Sequence, residues 1–208
     1  MITYTNEETK ADYLINIWIF ALISFLHNFE PLRFLPLVQE LCKKPDKKVG
    51  GKLDNLSPYE KALCTAENNN ILIVQGNTSN KLPAFALRYD EDMGVFINED
   101  AFETDAERRL AFIHEVAHCE TGGFYTEKTP RDECDKIEYK ANKRAVAYLV
   151  PFHIYKETIM SGCLTDLEQA EKWDVPVSFI PVIHQVYEST QWESVQELRG
   201  AALRKWNI

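Results

Sequence analysis

The run Leu110-Ala111-Phe112-Ile113-His114-Glu115-Val116-Ala117-His118 carries two signals at once. Its apolar residues fall at helical spacing, and it contains the pattern H-E-x-x-H. On a helix, residues four apart lie on one face one turn apart, so His114 and His118 project two imidazoles to the same side, as two ligands of one Zn²⁺ require. Glu115 sits on the flank of that face. From there it can take a proton from a water whose pKa zinc has lowered, and later return it to a leaving group. Leu110, Ile113, Val116 and Ala117 predict that the helix is mostly buried, and a buried histidine pair without a partner is costly.

The helix has a clear start and stop. Thr104-Asp105-Ala106-Glu107 reads as a capping box, and Gly122-Gly123 as the stop after about Glu120. Catalytic zinc usually has three protein ligands plus water. The next helix, opened by Thr129-Pro130 and ended by Pro151, offers Glu138 as the third. Asn142, four residues on, shares its face and is placed to bond a ligand imidazole and fix its tautomer.

Upstream, Ser57-Pro58 with Glu60 starts a short helix. Extended runs over 71–74, 84–89 and 94–97 follow, separated by the turn signals Gly76-Asn77 and 90–92, and predict a small antiparallel sheet. Thr165-Asp166-Leu167-Glu168 is a further capping box, and more helices are expected from Ser178 and near Thr190, with Ala170, Trp173, Val175 and Phe179 as core. Residues 7–28 carry an apolar helical stripe, and a second short helix is expected over 37–42. The charged run 43–48 and Gly50-Gly51 read as a linker. The expectation is an α+β fold, mostly helical. Residues 1–52 form an N-terminal helical appendage, and residues 53–208 hold the site and the C-terminal helices.

Composition narrows the function classes. The 208 residues are 45% hydrophobic and 26% charged, as in a folded globular protein. The net charge of -9 argues against direct nucleic-acid binding, which needs a basic surface. The apolar run 13–26 is shorter than the roughly 20 residues a membrane-spanning helix needs, so it is read as buried or facing a partner. With no signal-like start and no C-x-x-C pair, the five cysteines are expected to be reduced in a cytoplasm. His27 and His184 read as core or partly exposed histidines. Cys119 would point away from the His114–His118 face, and Cys134 shares a face with Glu138.

H-E-x-x-H followed by Glu138-Tyr139-Lys140-Ala141-Asn142 resembles the gluzincin metallopeptidases, with Asn142 where thermolysin-like enzymes usually carry Asp. The stretches 107–118 and 138–151 more closely resemble the ImmA/IrrE-type metallopeptidases, as does the short strand before the motif helix. The likeness runs from about Ser57 to about Glu188. Arg144 stands where that pattern has an apolar residue, Tyr148 where it has Leu, and 119–125 is rich in Gly.

The resemblance implies a zincin-like domain with one Zn²⁺ per chain, held by His114, His118 and Glu138, and with Glu115 as the base. It also implies a cytoplasmic endopeptidase that relieves repression by cutting a helix-turn-helix repressor of a phage or mobile element. His153, Tyr148, Tyr155 and Tyr125 are candidates to stabilise the oxyanion. Two other readings stand beside it: a zinc-containing module that sequesters its partner without cleavage, and one half of a toxin–antitoxin pair whose N-terminal helix makes the contact.

Overall fold

The computed structural model describes residues 56–76, 82–163 and 165–206. The helices expected over 7–28 and 37–42, the linker, His27 and the partner contact given to the N-terminal helix lie outside these residues. In chain order the elements are α1 (Pro58–Asn68), β1 (Leu72–Gly76), β2 (Ala84–Tyr89), β3 (Asp92–Asn98), α2 (Asp105–Thr121), α3 (Arg131–Leu149), α4 (Phe152–Met160), α5 (Asp166–Trp173), α6 (Ile180–Thr190) and α7 (Trp192–Trp206). This is an α+β architecture, mostly helical, with one small sheet.

Local chemistry sets the boundaries. Ser57, Thr104 and Thr165 each close a capping box, with Glu60, Glu107 and Glu168 reaching back to the cap amide. Each box satisfies two of the amides a helix start leaves unpaired. At the other end of α2, Gly122 takes the left-handed conformation (φ 64°), and the Gly123 amide donates to the His118 carbonyl at 3.0 Å. The apolar side of α2 is the centre of the core. Phe112, Ile113, Val116 and Ala117 are at most 1% exposed, and burying each of the larger three is worth roughly 1.5–3 kcal/mol. Tyr59 of α1 packs on Phe112, with ring centroids 5.0 Å apart.

The sheet is mixed, which corrects the all-antiparallel expectation. Its order is β1-β3-β2, with β1 parallel and β2 antiparallel to β3. The 90–92 signal does close a β2–β3 hairpin, with Tyr89 opposite Asp92 and Asp90 left-handed. Gly76 ends β1 without starting a hairpin. Gly76 pairs with Asn98 and Ala84 with Ile97, so a chain leaving β1 must cross the end of β3, about 9.5 Å, to enter β2. A two-residue turn joins only neighbouring strands. Phe85 and Phe96, directly opposed, stack on one face, while Val95 and Ile97 are buried.

The helix α4 begins at the proline that ends α3, a start the sequence reading did not assign. Beyond it, Ala170, Trp173, Val175 and Phe179 are buried as expected. Tyr155 is fully buried among Trp173, Tyr187 and His184. Its hydroxyl lies 3.0 Å from His184 Nδ1. His184 Nε2 lies 2.9 Å from Gln169 Oε1, whose amide nitrogen donates to the Cys163 carbonyl at 3.0 Å. That order of donors suits a neutral His184 with its proton on Nε2.

Burial, and then the Arg199 charge, pull the His184 pKa down. The unfolded chain therefore binds this proton first as pH falls. Its stabilising contribution is complete above the unfolded value of about 6.5 and is lost on acidification below it. The melting temperature of the wild type is expected to drop more between pH 7.5 and 5.5 than that of His184→Gln. Parallel profiles would refute this role.

Among the described residues no helix is long and apolar enough to cross a membrane. Cys119, Cys134 and Cys163 are free thiols. Cys64 is disulfide-bonded, so the expectation of five reduced cysteines does not hold for it.

Candidate metal centre

α2 and α3 pack face to face, and their contact brings His114, His118 and Glu138 together. These three form a group that could hold a metal ion, with one ligand atom from each and all three atoms within 4.8 Å of one another. The two imidazole Nε2 atoms are 3.0 Å apart. Glu138 spans them, with Oε2 at 3.2 Å from His114 and Oε1 at 3.3 Å from His118.

The ring of His118 is fixed from behind. Its Nδ1 lies 2.7 Å from the Gly123 carbonyl oxygen, so Nδ1 carries the proton and donates it. Nε2 is left facing the group, where it bonds the Glu138 carboxylate when protonated and offers its lone pair to a metal when not, as in a metal-ligating histidine. The orienting bond expected of Asn142 is thus made by a backbone carbonyl. Asn142 makes no hydrogen bond to either imidazole among the described residues and instead lines a cavity beside Glu138.

The sequence reading missed this role of Gly123, which it took only as part of the stop. A Cβ there would come within 2.9 Å of Ile137 Cγ2 on α3. The residue therefore allows the close approach of the α2 terminus to the turn that bears Glu138. A second glycine after the one that ends the helix was the available signal.

The carboxylates differ in environment. Burial pushes the Glu115 carboxyl above the usual range, against the opposing effect of His114, His118 and the Ala86 backbone. Burial also opposes the charge on Glu138, but bonds from His114, His118 and Tyr125 override it and hold this carboxyl well below the ordinary value. For His118 the burial penalty is outweighed by Glu138 and Glu115, so its pKa rises. Two acidic groups around two imidazoles make the spot favourable for a cation.

Ala86 connects this centre to the sheet. The Asn98 amide donates to the Pro83 carbonyl at 2.8 Å, which makes Pro83–Asn98 a hydrogen-bonded pair. Pairs alternate along an antiparallel ladder, so Ala84, Ala86 and Arg88 turn their amides and carbonyls outward. The Ala86 amide accordingly reaches the Glu115 carboxylate. Among the described residues that outer edge of β2 has no partner strand.

Of the oxyanion candidates, Tyr125 is the one brought to the centre. Its hydroxyl bonds Glu138, and its ring centroid is 6.1 Å from that of His118. Burial and the Glu138 carboxylate raise its pKa, so it stays a donor. Tyr148 is committed elsewhere, 2.7 Å from Thr65 Oγ1 and 2.9 Å from Glu120 Oε2. Arg144 grips Glu120 with two bonds of 2.9 and 2.7 Å and lies 4.6 Å over the Tyr148 ring. The two departures from the family pattern thus form one polar knot joining α1, α2 and α3. The Tyr155 hydroxyl serves His184 in the C-terminal core. His153 is exposed on α4 and takes no part in the hydrogen bonds or ring contacts of the centre. These placements do not support the donor roles expected of Tyr148, Tyr155 and His153. Burial pushes the Cys119 thiol up to about 12, which makes it a packed, unreactive group. Cys134 points its sulfur at the Thr129 carbonyl, 3.6 Å away.

No protein-family model, no curated protein and no solved structure matches this chain.

Proposed function

We propose that the chain is a zinc-dependent endopeptidase of the ImmA/IrrE type. Zinc fits the group on its dimensions. Tetrahedral ligands at about 2.05 Å from a metal are about 3.3 Å from one another; here the two imidazole nitrogens are 3.0 Å apart, and each has one of the two Glu138 oxygens 3.2 or 3.3 Å away. The donor set, two imidazoles and one carboxylate with a position left open, is that of a catalytic zinc site. When bound, the metal supplies Lewis acidity, which polarises a carbonyl and makes water more acidic.

The observation that carries the reading is the position of Glu115 between the ligand group and the outward amide of Ala86. An extended peptide added to the open edge of β2 would pair with the outward backbone groups of Ala84 and Arg88 and with the Ala86 carbonyl. That places its own amide bonds in front of Glu115. Burial raises the Glu115 carboxyl above the usual range, which makes its carboxylate a stronger base, able to take a proton from attacking water and then pass it to the departing amine. Tyr125 holds a hydroxyl over the centre, in reach of charge developing on the peptide oxygen. No side chain forms a covalent intermediate in this scheme.

A helix-turn-helix repressor is the proposed substrate. Such proteins are basic, and a chain of net charge -9 attracts them at long range. Digestion of a peptide library and of a repressor encoded beside this gene, read by mass spectrometry, tests the activity. Cleavage should stop with a chelator and return with zinc. An intact library and repressor after incubation with fully zinc-loaded chain would refute the proposal.

A further inference from the structure

A cavity of about 160 Å³ opens between α3 and α6, and Glu138 forms part of its wall. Asp135, Tyr139 and Asn142 line it from the same face of α3; Val182 and Val186 line it from α6, with Gln185 beside them. Val186 is buried and Val182 half-buried, so the bottom is apolar, whereas Asp135 and Gln185 are exposed at the rim. Tyr139 Oη and Ser189 Oγ, 2.6 Å apart, tie the two helices together, so the space is present without a ligand.

The electrostatics of this space are one-sided. Glu138 is committed to the two imidazoles and Tyr125. Asp135 has no ion pair among the described residues, and no lysine or arginine lines the cavity. The space therefore offers an apolar bottom, two side-chain amide oxygens and one uncommitted carboxylate, all next to a ligand of the metal centre.

We propose that this cavity receives a lysine or arginine side chain of the substrate, from the residue beside the bond to be cut. The methylene stem lies against Val182 and Val186, and the cation meets Asp135 with Asn142 and Gln185, the usual division of a long basic side chain between apolar and polar surroundings. This assignment rests on the peptidase reading and names the substrate feature that site selects.

Binding, not turnover, provides the test. Peptide hydroxamates carrying Lys, Leu or Glu next to the chelating group are titrated into the zinc-loaded Glu115→Gln chain by calorimetry. The Lys form should bind about fivefold tighter than the Leu form, the upper range of an exposed ion pair, and the Glu form weakest. Asp135→Asn should erase the Lys preference and leave the Leu affinity as it was. An equal or better Leu or Glu form, or a preference that survives Asp135→Asn, overturns the cavity assignment while leaving the metal centre standing. Failure of every hydroxamate to bind the zinc-loaded chain overturns the peptidase reading and this assignment with it.

Discussion

Glu115→Gln should keep one zinc per chain and lose peptide hydrolysis by about 10²–10⁴-fold, the usual contribution of a positioned general base. The change is isosteric. Its amide oxygen can still accept from the Ala86 amide, and none of the three ligand atoms is touched. What disappears is a group able to hold a proton and release it. Metal content by elemental analysis and cleavage by mass spectrometry are read on the same sample. Activity within a few-fold of wild type would remove Glu115 from the mechanism. The variant also separates cutting from sequestering. A repressor that is still depleted by zinc-loaded Glu115→Gln is being held, not hydrolysed.

His118→Ala should abolish stoichiometric zinc binding and the thermal stabilisation that zinc confers. His118 is 4% exposed and contributes one of only three ligand atoms. Its loss leaves two donors, and it also strips the Gly123 carbonyl of its hydrogen bond, which costs roughly 1–3 kcal/mol where such a group is buried. A ligand that binds only the folded state stabilises by RT ln(1 + [L]/Kd), about 2.7 kcal/mol at a hundredfold excess over Kd. The melting temperature of the wild type should therefore rise with added zinc, and that of His118→Ala should not. His153→Ala, altered at an exposed position on α4, should keep the zinc response of the wild type. A full zinc shift in His118→Ala would sink the ligand assignment.

What could be read from the sequence followed the range of the interactions. Capping boxes at Ser57, Thr104 and Thr165 involve residues three apart, so the helix starts were visible as strings. The pairing of His114 with His118 is set by one turn of helix, and the approach of Glu138 by two consecutive helices. Contacts between distant segments were not visible. Turn signals marked where β1 ends but not that β3 would lie between β1 and β2. Pro151 read as a stop because a proline cannot continue a helix, yet the same residue precedes α4 as its N-cap. The tyrosines show the limit best. Tyr125, Tyr148 and Tyr155 carry the same hydroxyl, and all three follow the motif in the chain. Only their partners, Glu138, Glu120 and His184, separate them, and those partners are a property of packing.

The outward row of amides and carbonyls on β2 also matters for solubility. A bare strand edge accepts any extended chain, including the same edge of a second copy. Here the exposed row is only six residues long and carries the charged Arg88. It runs into the acidic corner Asp90-Glu91-Asp92 at one end. A transient peptide can lie along such a short edge and leave again. A growing stack of identical strands gains little from it, so the edge can stay open without seeding aggregation.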